Sequence, residues 1–249
     1  MKFKIFLDEA WRWPLAWPVV VWWVAMIKNF ETNIFDDSKK LSEKKREIIF
    51  DKIKELENDK KLIYSFWYAT AKEIDNFWIS QAINLATKRL ILAMFNKYIS
   101  LFFEDIISSN GIYLWDKLLN IEKLKKITKI KKEDDFYNLD YKEIIKIFNE
   151  VEKIHWIIFD WNTDFKLSKD LWIKIVTVIK WDSKVPLIWA ASIIAKVTRD
   201  NWIKQISQKY PDYNFEQHKW YWTAKHREQI KKLWPCEIHR ISFLWNILK

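Results

Sequence analysis

The feature that most restricts how this chain can fold is its near absence of glycine beside an excess of tryptophan. Its 249 residues contain one glycine, Gly111, and eighteen tryptophans. Average glycine usage is about 7%, so about 17 glycines would be expected at this length. Glycine serves turns, helix ends and close backbone approaches because it adopts positive φ without steric cost. A chain without it must supply those conformations with other residues.

Several tryptophans stand where glycine is expected. Trp234 follows a helical pattern and precedes Pro235, the place of a glycine in a left-handed helix cap. Trp11, Trp13 and Trp17 crowd a proline-containing segment that is typical of turns. We hypothesise that many of these positions are glycine in the cell, as when a UGA codon that means glycine is translated as tryptophan. The alternative is a truly tryptophan-rich protein; we expect the tryptophan-bearing chain to fold poorly.

The overall charge favours a polyanionic partner. Lysine and arginine number 43 against 33 aspartate and glutamate, a formal net charge of +10, and nucleic acid is the commonest partner of such a protein. The single cysteine, Cys236, excludes an internal disulfide framework and fits a reducing compartment. The apolar run at 19–27 is about half as long as a bilayer span requires. With no secretory signal pattern, the sequence predicts a cytoplasmic protein without a membrane segment.

The order of the periodic segments predicts an α/β fold. Strands are expected at 3–7, 19–27, 62–70, 154–159 and 174–179, the first two as an antiparallel pair. Helices are expected at 42–57 with Ser42 as N-cap, at 79–107, at 187–209 and at 223–233. Residues 110–150 are rich in Lys and Glu and predict a charged surface insertion. We expect a catalytic domain over 1–209 and a small helical C-terminal region over 210–249 that completes the substrate site.

Acidic residues follow three of the predicted strands. Asp8 and Glu9 end the first, Asp160 closes the fourth and Asp182 follows the fifth. Carboxyl ends of strands are where α/β folds place their sites, and four carboxylates brought together there would require divalent cations. Oxygen ligands favour Mg²⁺ or Mn²⁺, and two such ions can hydrolyse a phosphodiester. Each acid taken alone is better explained as a solvated strand end or helix cap, and only the three strand ends together favour a metal site.

Ordered motifs extend along the chain and carry a family resemblance. They read DEAWRWPLAWPVV at 8–20, DSKKLS at 37–42, DWN at 160–162, KWDSK at 180–184, AASIIAKVTRD at 190–200, HKWYWT at 218–223 and IHRISF at 238–243. With glycine at the tryptophan positions, they resemble in order the motifs of bacterial and archaeal ribonuclease HII. The resemblance covers almost the whole chain apart from 110–150. The recurrence of one substitution supports the recoding hypothesis.

The resemblance implies a fold, a reaction and a metal site. It implies a ribonuclease H-like mixed five-stranded sheet flanked by helices. The implied reaction is hydrolysis of RNA in RNA–DNA hybrids, and cleavage 5′ of single ribonucleotides in duplex DNA, with 3′-hydroxyl and 5′-phosphate products. By motif, Asp8, Glu9, Asp160 and Asp182 are the catalytic acids that hold Mg²⁺ or Mn²⁺, two ions when substrate is bound.

The resemblance also implies substrate contacts. Arg12, with Trp11 and Trp13 in glycine places, matches a loop that approaches the ribose 2′-hydroxyl through its backbone, and Tyr221 matches a tyrosine that stacks on the sugar at the RNA–DNA junction. A solvated role is as plausible for each candidate phosphate contact, and Ser192 could face the sheet instead. These candidates are Lys39, Lys40, Lys184, Ser192, Lys196, Arg199 and Lys219.

Two other interpretations are considered. Ribonuclease HIII is the nearest enzymatic alternative, but it carries an additional N-terminal domain, for which first acids at positions 8 and 9 leave no room. A nucleic-acid-binding protein without catalysis is disfavoured by the presence of all four acids. We further expect a monomer, structural roles for His239 and Arg240, and an inert thiol at Cys236.

Overall fold

The computed structural model describes residues 3–10, 12–108, 154–159, 163–171, 175–177, 185–219 and 221–248. The predicted insertion at 110–150 lies outside these residues, as do Trp11, Asp160, Asp182 and Lys184. Within them the chain forms the predicted α/β structure around one mixed sheet of five strands. None of the described helices combines the length and apolarity needed to cross a bilayer.

The five strands follow from short apolar runs rich in β-branched and aromatic residues. They are β1 (Phe3–Ala10), β2 (Val19–Met26), β3 (Leu62–Ala69), β4 (Ile154–Phe159) and β5 (Ile175–Thr177). Their order in the sheet is β3–β2–β1–β4–β5. β1 pairs antiparallel with β2, as predicted, and parallel with β4, which in turn pairs parallel with β5.

Six helices are seen in the described residues: α1 (Glu43–Asn58), α2 (Ala71–Ser108), α3 (Leu167–Leu171), α4 (Pro186–Lys209), α5 (Phe215–His218) and α6 (Ala224–Leu233). Ser42 caps α1 as predicted, because its hydroxyl accepts the Lys45 amide at 3.3 Å. The helix predicted from 79 follows a break at Trp78 and is confirmed in the described residues up to Ser108, but α2 also has earlier turns, from Ala71 to the break, that the sequence did not predict. The interruption puts the first turns out of phase with the apolar period that follows. The short helices α3 and α5 have too few residues to show a period.

Strand β2 lies at the centre of the core and its side chains alternate between two helical layers. Val20, Trp22 and Val24 belong to a buried cluster with the apolar side of α4, while α1 packs against α4 on the same side. The intervening residues of β2 face α2, which packs on β2 and β3. The sheet is thus covered by α1 and α4 on one face and by α2 on the other.

The C-terminal region folds back onto the segment that follows β1. Ala16 forms an isolated antiparallel bridge with His239. Leu15 is fully buried in a small cluster with Ile230, Leu244 and Ile247. Ala16 belongs to the buried cluster of the sheet and α4, and Trp17 packs against it, so the loop after β1 joins the core of the C-terminal region to the core of the sheet.

Among the residues that the structure describes, three tryptophans have positive φ, the conformation that favours glycine. φ is 85° at Trp17, 64° at Trp78 and 62° at Trp234. ψ is 156° at Trp78 and 164° at Trp234, which places both in a region that is essentially restricted to glycine and costs other residues of order 1–3 kcal/mol. The two side chains are 70% and 69% exposed, so little packing offsets this strain.

The cap at Trp234 differs from the predicted left-handed geometry. Its φ is positive as expected, but its ψ of 164° is extended rather than left-handed helical. The cause is Pro235, because a proline ring excludes helical ψ from the residue before it and drives that residue to an extended ψ. The combination of positive φ and extended ψ is more selective for glycine than the predicted conformation.

Trp23 is unfavourable for a different reason. It is fully buried in β2, and its indole Nε1–H has no hydrogen-bond acceptor among the residues that the structure describes. A buried donor without an acceptor costs about 1–3 kcal/mol. Strained backbone at two exposed tryptophans and an unsatisfied indole at a buried one all favour the hypothesis that such positions are glycine in the cell.

We predict that Trp78→Gly and Trp234→Gly each raise the free energy of unfolding by about 1 kcal/mol. The gain is the released backbone strain less the higher entropy of glycine in the unfolded chain. Urea unfolding measures it. Trp202→Gly is the control, because Trp202 lies inside α4 against Trp17 and Phe66 and should lose stability. Destabilisation by all three changes would contradict the backbone argument.

Three histidines are packed in the C-terminal region. His218, His226 and His239 are all buried, and Phe215 has ring contacts with each. Burial lowers the pKa of His239 from its ordinary value of 6.5 to about 4. Between these values the unfolded chain binds a proton that the folded chain does not, so this contribution to stability is complete above pH 6.5 and is lost as the pH falls towards 4.

We predict that His239→Gln reduces the acid sensitivity of folding. The wild-type chain should lose about 3 kcal/mol more than the variant between pH 7 and pH 4, since one pKa unit corresponds to about 1.36 kcal/mol. Urea unfolding at several pH values measures this difference. Equal pH dependence of the two proteins would show that His239 does not carry the effect.

Candidate functional site

The predicted acids of the first strand lie at its carboxyl end. Asp8 and Glu9 are the sixth and seventh residues of β1, and both are half-buried. Asp8 pairs with Trp22 and Glu9 with Val21 of β2. Because this pairing is regular, the two side chains begin on opposite faces of the sheet, Asp8 on the face covered by α4. Joint ligation of one ion would require the longer glutamate side chain to reach around the strand end.

The parallel strands end at the same edge of the sheet. Leu7 of β1 lies opposite Phe159 of β4, and Phe159 lies opposite Thr177 of β5. In the sequence, Asp8 follows Leu7 and Asp160 follows Phe159. The described part of β4 therefore ends at the level where β1 carries its acids.

The donor chemistry at this edge is that of a hard divalent cation. Asp8 and Glu9 supply carboxylate oxygens, the ligands that Mg²⁺ and Mn²⁺ prefer. Among the described residues, no three His, Cys, Asp or Glu side chains converge as a metal site. Asp160 and Asp182 lie outside that part of the chain. Asp8 and Glu9 therefore supply half of the predicted set of four ligands, and their oxygen donors fit such a cation.

A buried arginine from the C-terminal region holds the loop that follows the acids. Arg240 Nη1 donates to the Arg12 carbonyl at 2.8 Å and Nε donates to the Trp17 carbonyl at 2.7 Å. Its amide donates to the Leu15 carbonyl at 2.9 Å, and the Trp17 amide donates to the Ile238 carbonyl at 2.7 Å. These four hydrogen bonds fix the backbone of residues 12–17, which we call the Arg12 loop. The predicted structural role of Arg240 is consistent with this geometry.

The second predicted ribose contact lies beside this loop. Trp222 Nε1 donates to the Trp13 carbonyl at 3.1 Å. Tyr221, the preceding residue, is 43% exposed. Lys219 and residues 221–223, which together we call the Tyr221 loop, therefore meet the Arg12 loop just beyond Asp8 and Glu9, although more than 200 residues separate the two loops in sequence.

Arg12 itself faces aromatic rings. Its Cζ lies 5.1 Å from the ring centroid of Trp13 and 5.5 Å from that of Phe165. Phe165 also lines a cleft of about 670 Å³ between the start of α2 and residues 163–170. Asn84 closes one side of the cleft by donating to the Phe165 carbonyl and to Asp170.

Several predicted phosphate contacts are held close together on the α4 side. Lys196 Nζ donates to Ser38 Oγ at 2.7 Å, and Ser38 Oγ lies 2.8 Å from Ser192 Oγ. Burial and the positive charges of Arg46, Arg199 and Lys39 lower the pKa of Lys196. The DSKKLS segment is thereby fixed to α4, and cations gather on one surface.

Asp200 gathers three further cations. Its carboxylate contacts Arg199 at 2.8 Å, Lys219 at 3.7 Å and Arg46 at 3.8 Å. A spacing of four residues on α4 would allow a local pair of Asp200 with Lys196, but Lys196 donates to Ser38. The contact with Lys219 joins α4 to the Tyr221 loop. The basic surface is thus continuous with the Arg12 and Tyr221 loops.

Other residues that hold the site were missed by sequence reasoning. Arg46 donates to the carbonyls of Ser38 and Leu41 and so supports the DSKKLS segment. Asp75 of α2 accepts from the Ile241 and Ser242 amides at 2.9 and 2.8 Å, which ties α2 to the segment after Arg240. Such contacts carry no sequence signal, since the acceptors of Arg46 are backbone carbonyls and the Asp75 contacts join residues 166 and 167 positions apart.

Apart from Asp8 and Glu9, the predicted site residues form two clusters, one exposed lysine and four positions outside the described residues. The structure brings Arg12 and Trp13 to Tyr221, and it brings Lys39, Ser192, Lys196, Arg199 and Lys219 into one basic surface. Lys40 lies exposed in the DSKKLS segment. Trp11, Asp160, Asp182 and Lys184 lie outside the described residues. Cys236 is half-buried and burial raises the pKa of its thiol, as expected for an inert group.

Comparison with known proteins identifies the family. The family model described as ribonuclease HII matches residues 5–137 and 113–245. The ribonuclease HII of Caldicellulosiruptor bescii is 34% identical over 248 residues, which cover 99% of this chain and 89% of that protein. The ribonuclease HII of Endomicrobium trichonymphae is 33% identical over 237 residues, which cover 95% of this chain and 83% of that protein.

Solved structures share the fold. The ribonuclease H2 of Pyrococcus horikoshii OT3 superposes with a TM-score of 0.57 at 21% identity, covering 98% of this chain and 96% of that one. The ribonuclease HII in a complex with PCNA from Archaeoglobus fulgidus gives a TM-score of 0.55 at 21% identity, covering 99% and 97%. With the family model and these relatives, the chain belongs to the ribonuclease HII family of ribonuclease H-type nucleases, which act on the RNA of RNA–DNA hybrids.

Proposed function

We propose that this chain hydrolyses the RNA strand of RNA–DNA hybrids and also cuts duplex DNA on the 5′ side of a single embedded ribonucleotide. The products carry 3′-hydroxyl and 5′-phosphate ends. The observation that carries the proposal is the contact of the Arg12 loop with the Tyr221 loop immediately beyond Asp8 and Glu9. A ribose recognised between the two loops has its phosphodiester beside the acids.

The Arg12 loop reads the sugar through its backbone. The 2′-hydroxyl both donates and accepts a hydrogen bond, and it is the group that separates RNA from DNA. Arg240 takes up the carbonyls of Arg12 and Trp17, so the loop is preorganised before substrate arrives. Trp13 is 60% exposed; a glycine there would open the backbone to the minor groove.

Tyr221 stacks on the sugar at the junction between ribonucleotide and deoxyribonucleotide. Its exposed ring and its position beside the Arg12 loop support this role. The basic surface of Lys39, Lys196, Arg199 and Lys219 binds backbone phosphates, which supply affinity without sequence preference. Ser192 supports that surface through Ser38.

Asp8, Glu9, Asp160 and Asp182 would hold two Mg²⁺ or Mn²⁺ ions, which supply Lewis-acid charge neutralisation at the scissile phosphate when bound. Half-burial of Asp8 and Glu9 restricts water around the phosphate and strengthens electrostatic interactions there.

We predict that Asp8→Asn and Asp160→Asn each lower the cleavage rate of a duplex with one ribonucleotide by more than about 100-fold, while binding persists. Residues that merely support metal ligands change activity by about 10- to 100-fold, so direct ligands should exceed that range. Single-turnover cleavage with Mg²⁺ and with Mn²⁺ measures the effect. Asp51→Asn, an exposed change on α1, is the control. Cleavage by Asp160→Asn at the wild-type rate would contradict the assignment.

We predict that Lys39→Ala and Lys219→Ala each reduce the salt dependence of duplex binding by about one unit in the slope of log K against log salt concentration. Anisotropy in EDTA measures binding without cleavage. Lys61→Ala is the control, because Lys61 lies far from the acids. It precedes Leu62, which pairs with Met26 at one end of β2, whereas Val20 at the other end pairs with the end of β1 that carries the acids. If only Lys61→Ala changed the slope, the basic surface would not be the surface that binds phosphates.

A further inference from the structure

A chain of hydrogen bonds runs through the buried histidines to the Tyr221 loop. His226 Nδ1 lies 3.0 Å from the Tyr221 carbonyl, and His226 Nε2 lies 3.2 Å from His239 Nε2. At the other end, the Cys236 amide donates to His239 Nδ1 at 3.0 Å. Both imidazoles are buried, so their partners within the protein decide where the protons lie.

The Tyr221 end determines the direction of the chain, and the Cys236 end is compatible with it. His239 Nδ1 lies 3.0 Å from the Cys236 amide and 3.3 Å from the Cys236 carbonyl. Because that carbonyl already accepts the His239 amide at 3.0 Å, Nδ1 accepts the shorter bond from the Cys236 amide and Nε2 carries the hydrogen. A carbonyl oxygen only accepts, so His226 Nδ1 carries the hydrogen and its Nε2 accepts. The central contact is then Nε2–H of His239 donating to Nε2 of His226. The reverse order would set the Nδ1 lone pair of His226 against the Tyr221 carbonyl.

His226 is also tied to the Tyr221 loop in other ways. Its amide donates to the Thr223 hydroxyl, which caps α6, and Thr223 donates its own amide to the Tyr221 carbonyl at 2.8 Å. The His218 ring stacks on the His226 ring at 4.0 Å, and the His218 carbonyl accepts the Tyr221 amide at 3.0 Å. Both polar groups of the Tyr221 backbone are therefore held by this histidine cluster.

We propose that His226 is a positioning residue for Tyr221, and that His239 holds His226 in the tautomer that grips the Tyr221 carbonyl. This inference rests on the proposed function, in which Tyr221 contacts the ribose at the junction. Because the ring of Tyr221 is exposed, burial of the side chain does not hold it in place, and its placement depends on the backbone. Loss of the His226 hydrogen bond releases the loop and weakens discrimination for a ribonucleotide.

Two amide substitutions separate this role from a general packing role. In His226→Asn the amide nitrogen takes the place of Nδ1 and retains the donor to Tyr221. In His226→Gln it takes the place of Nε2 and loses that donor while filling more of the space. If His226 positions Tyr221, His226→Gln has a larger effect than His226→Asn, although Gln changes the side-chain volume less.

The first measurement is amide hydrogen exchange over residues 219–223 without nucleic acid. We expect His226→Gln to raise exchange at Tyr221 and Thr223 by about tenfold, the equivalent of one hydrogen bond, and His226→Asn to restore protection. Glu228→Gln, exposed on α6, is the control. Equal exchange in the Gln and Asn variants would overturn the proposal, whatever the enzyme's substrate.

The second measurement is kcat/KM on a duplex with one ribonucleotide, in a cycle with Tyr221→Ala. We expect His226→Gln and Tyr221→Ala to cause similar losses, of about 5- to 100-fold by the usual worth of stacking, and the double variant to lose no more than either. Additive losses would overturn the positioning role. Absence of cleavage by the wild type would instead refute the proposed function, and the exchange data would still decide on His226.

A second pair of variants covers failure of His226→Gln to fold. His239→Gln keeps an N–H donor at the Nε2 position, whereas His239→Leu removes it. Protection of Tyr221 should persist in His239→Gln and fall in His239→Leu. The same exchange in both would contradict the assignment of the tautomer to His239.

Discussion

The site depends on the buried guanidinium of Arg240. Its hydrogen bonds to Arg12 and Trp17 bind the loop after β1 to the C-terminal region. Burial lowers the pKa of Arg240 to about 9 and nearby Asp75 opposes that shift, so the side chain stays charged at neutral pH. A buried cation stabilises the fold only if its donors are satisfied, and here backbone carbonyls of the ribose-directed loop satisfy them.

This constraint explains why the ends of the chain make one site. β1 delivers Asp8 and Glu9 to the sheet edge, and Arg240 holds the loop that leaves that edge. The Tyr221 loop is joined to the same place by Trp222 and to α4 by Lys219. Folding of the C-terminal region is thus coupled to the formation of the substrate surface, since neither loop has a core of its own.

The tryptophans act against this arrangement. Trp17 lies in the Arg12 loop at positive φ, and Trp78 and Trp234 occupy backbone geometry that suits glycine. The backbone keeps these conformations, although the tryptophan side chains disfavour them, because surrounding contacts fix it. One such contact is the hydrogen bond from the Trp17 amide to the Ile238 carbonyl. Glycine at these positions would keep the fold and remove the strain.

Sequence reasoning predicted the elements better than their contacts. The five strands and the long helices followed from apolar runs, and the ordered motifs indicated Asp8, Arg12 and Tyr221. The roles of Arg46, Asp75 and His226 were missed, because their partners are distant in sequence or are backbone groups that leave no pattern. The early turns of α2 were missed because the break at Trp78 shifts the helical period.

The central claim is that the two loops direct cleavage to a ribose beside the acids. Mapping of the cut position in a DNA duplex with one ribonucleotide, beside an all-DNA duplex of the same sequence, tests it most directly. The account predicts one cut on the 5′ side of the ribonucleotide, a 3′-hydroxyl product and an intact all-DNA duplex. Cuts at equal rates in both duplexes, or a bound but uncut ribonucleotide duplex in the presence of Mg²⁺ and Mn²⁺, would contradict it.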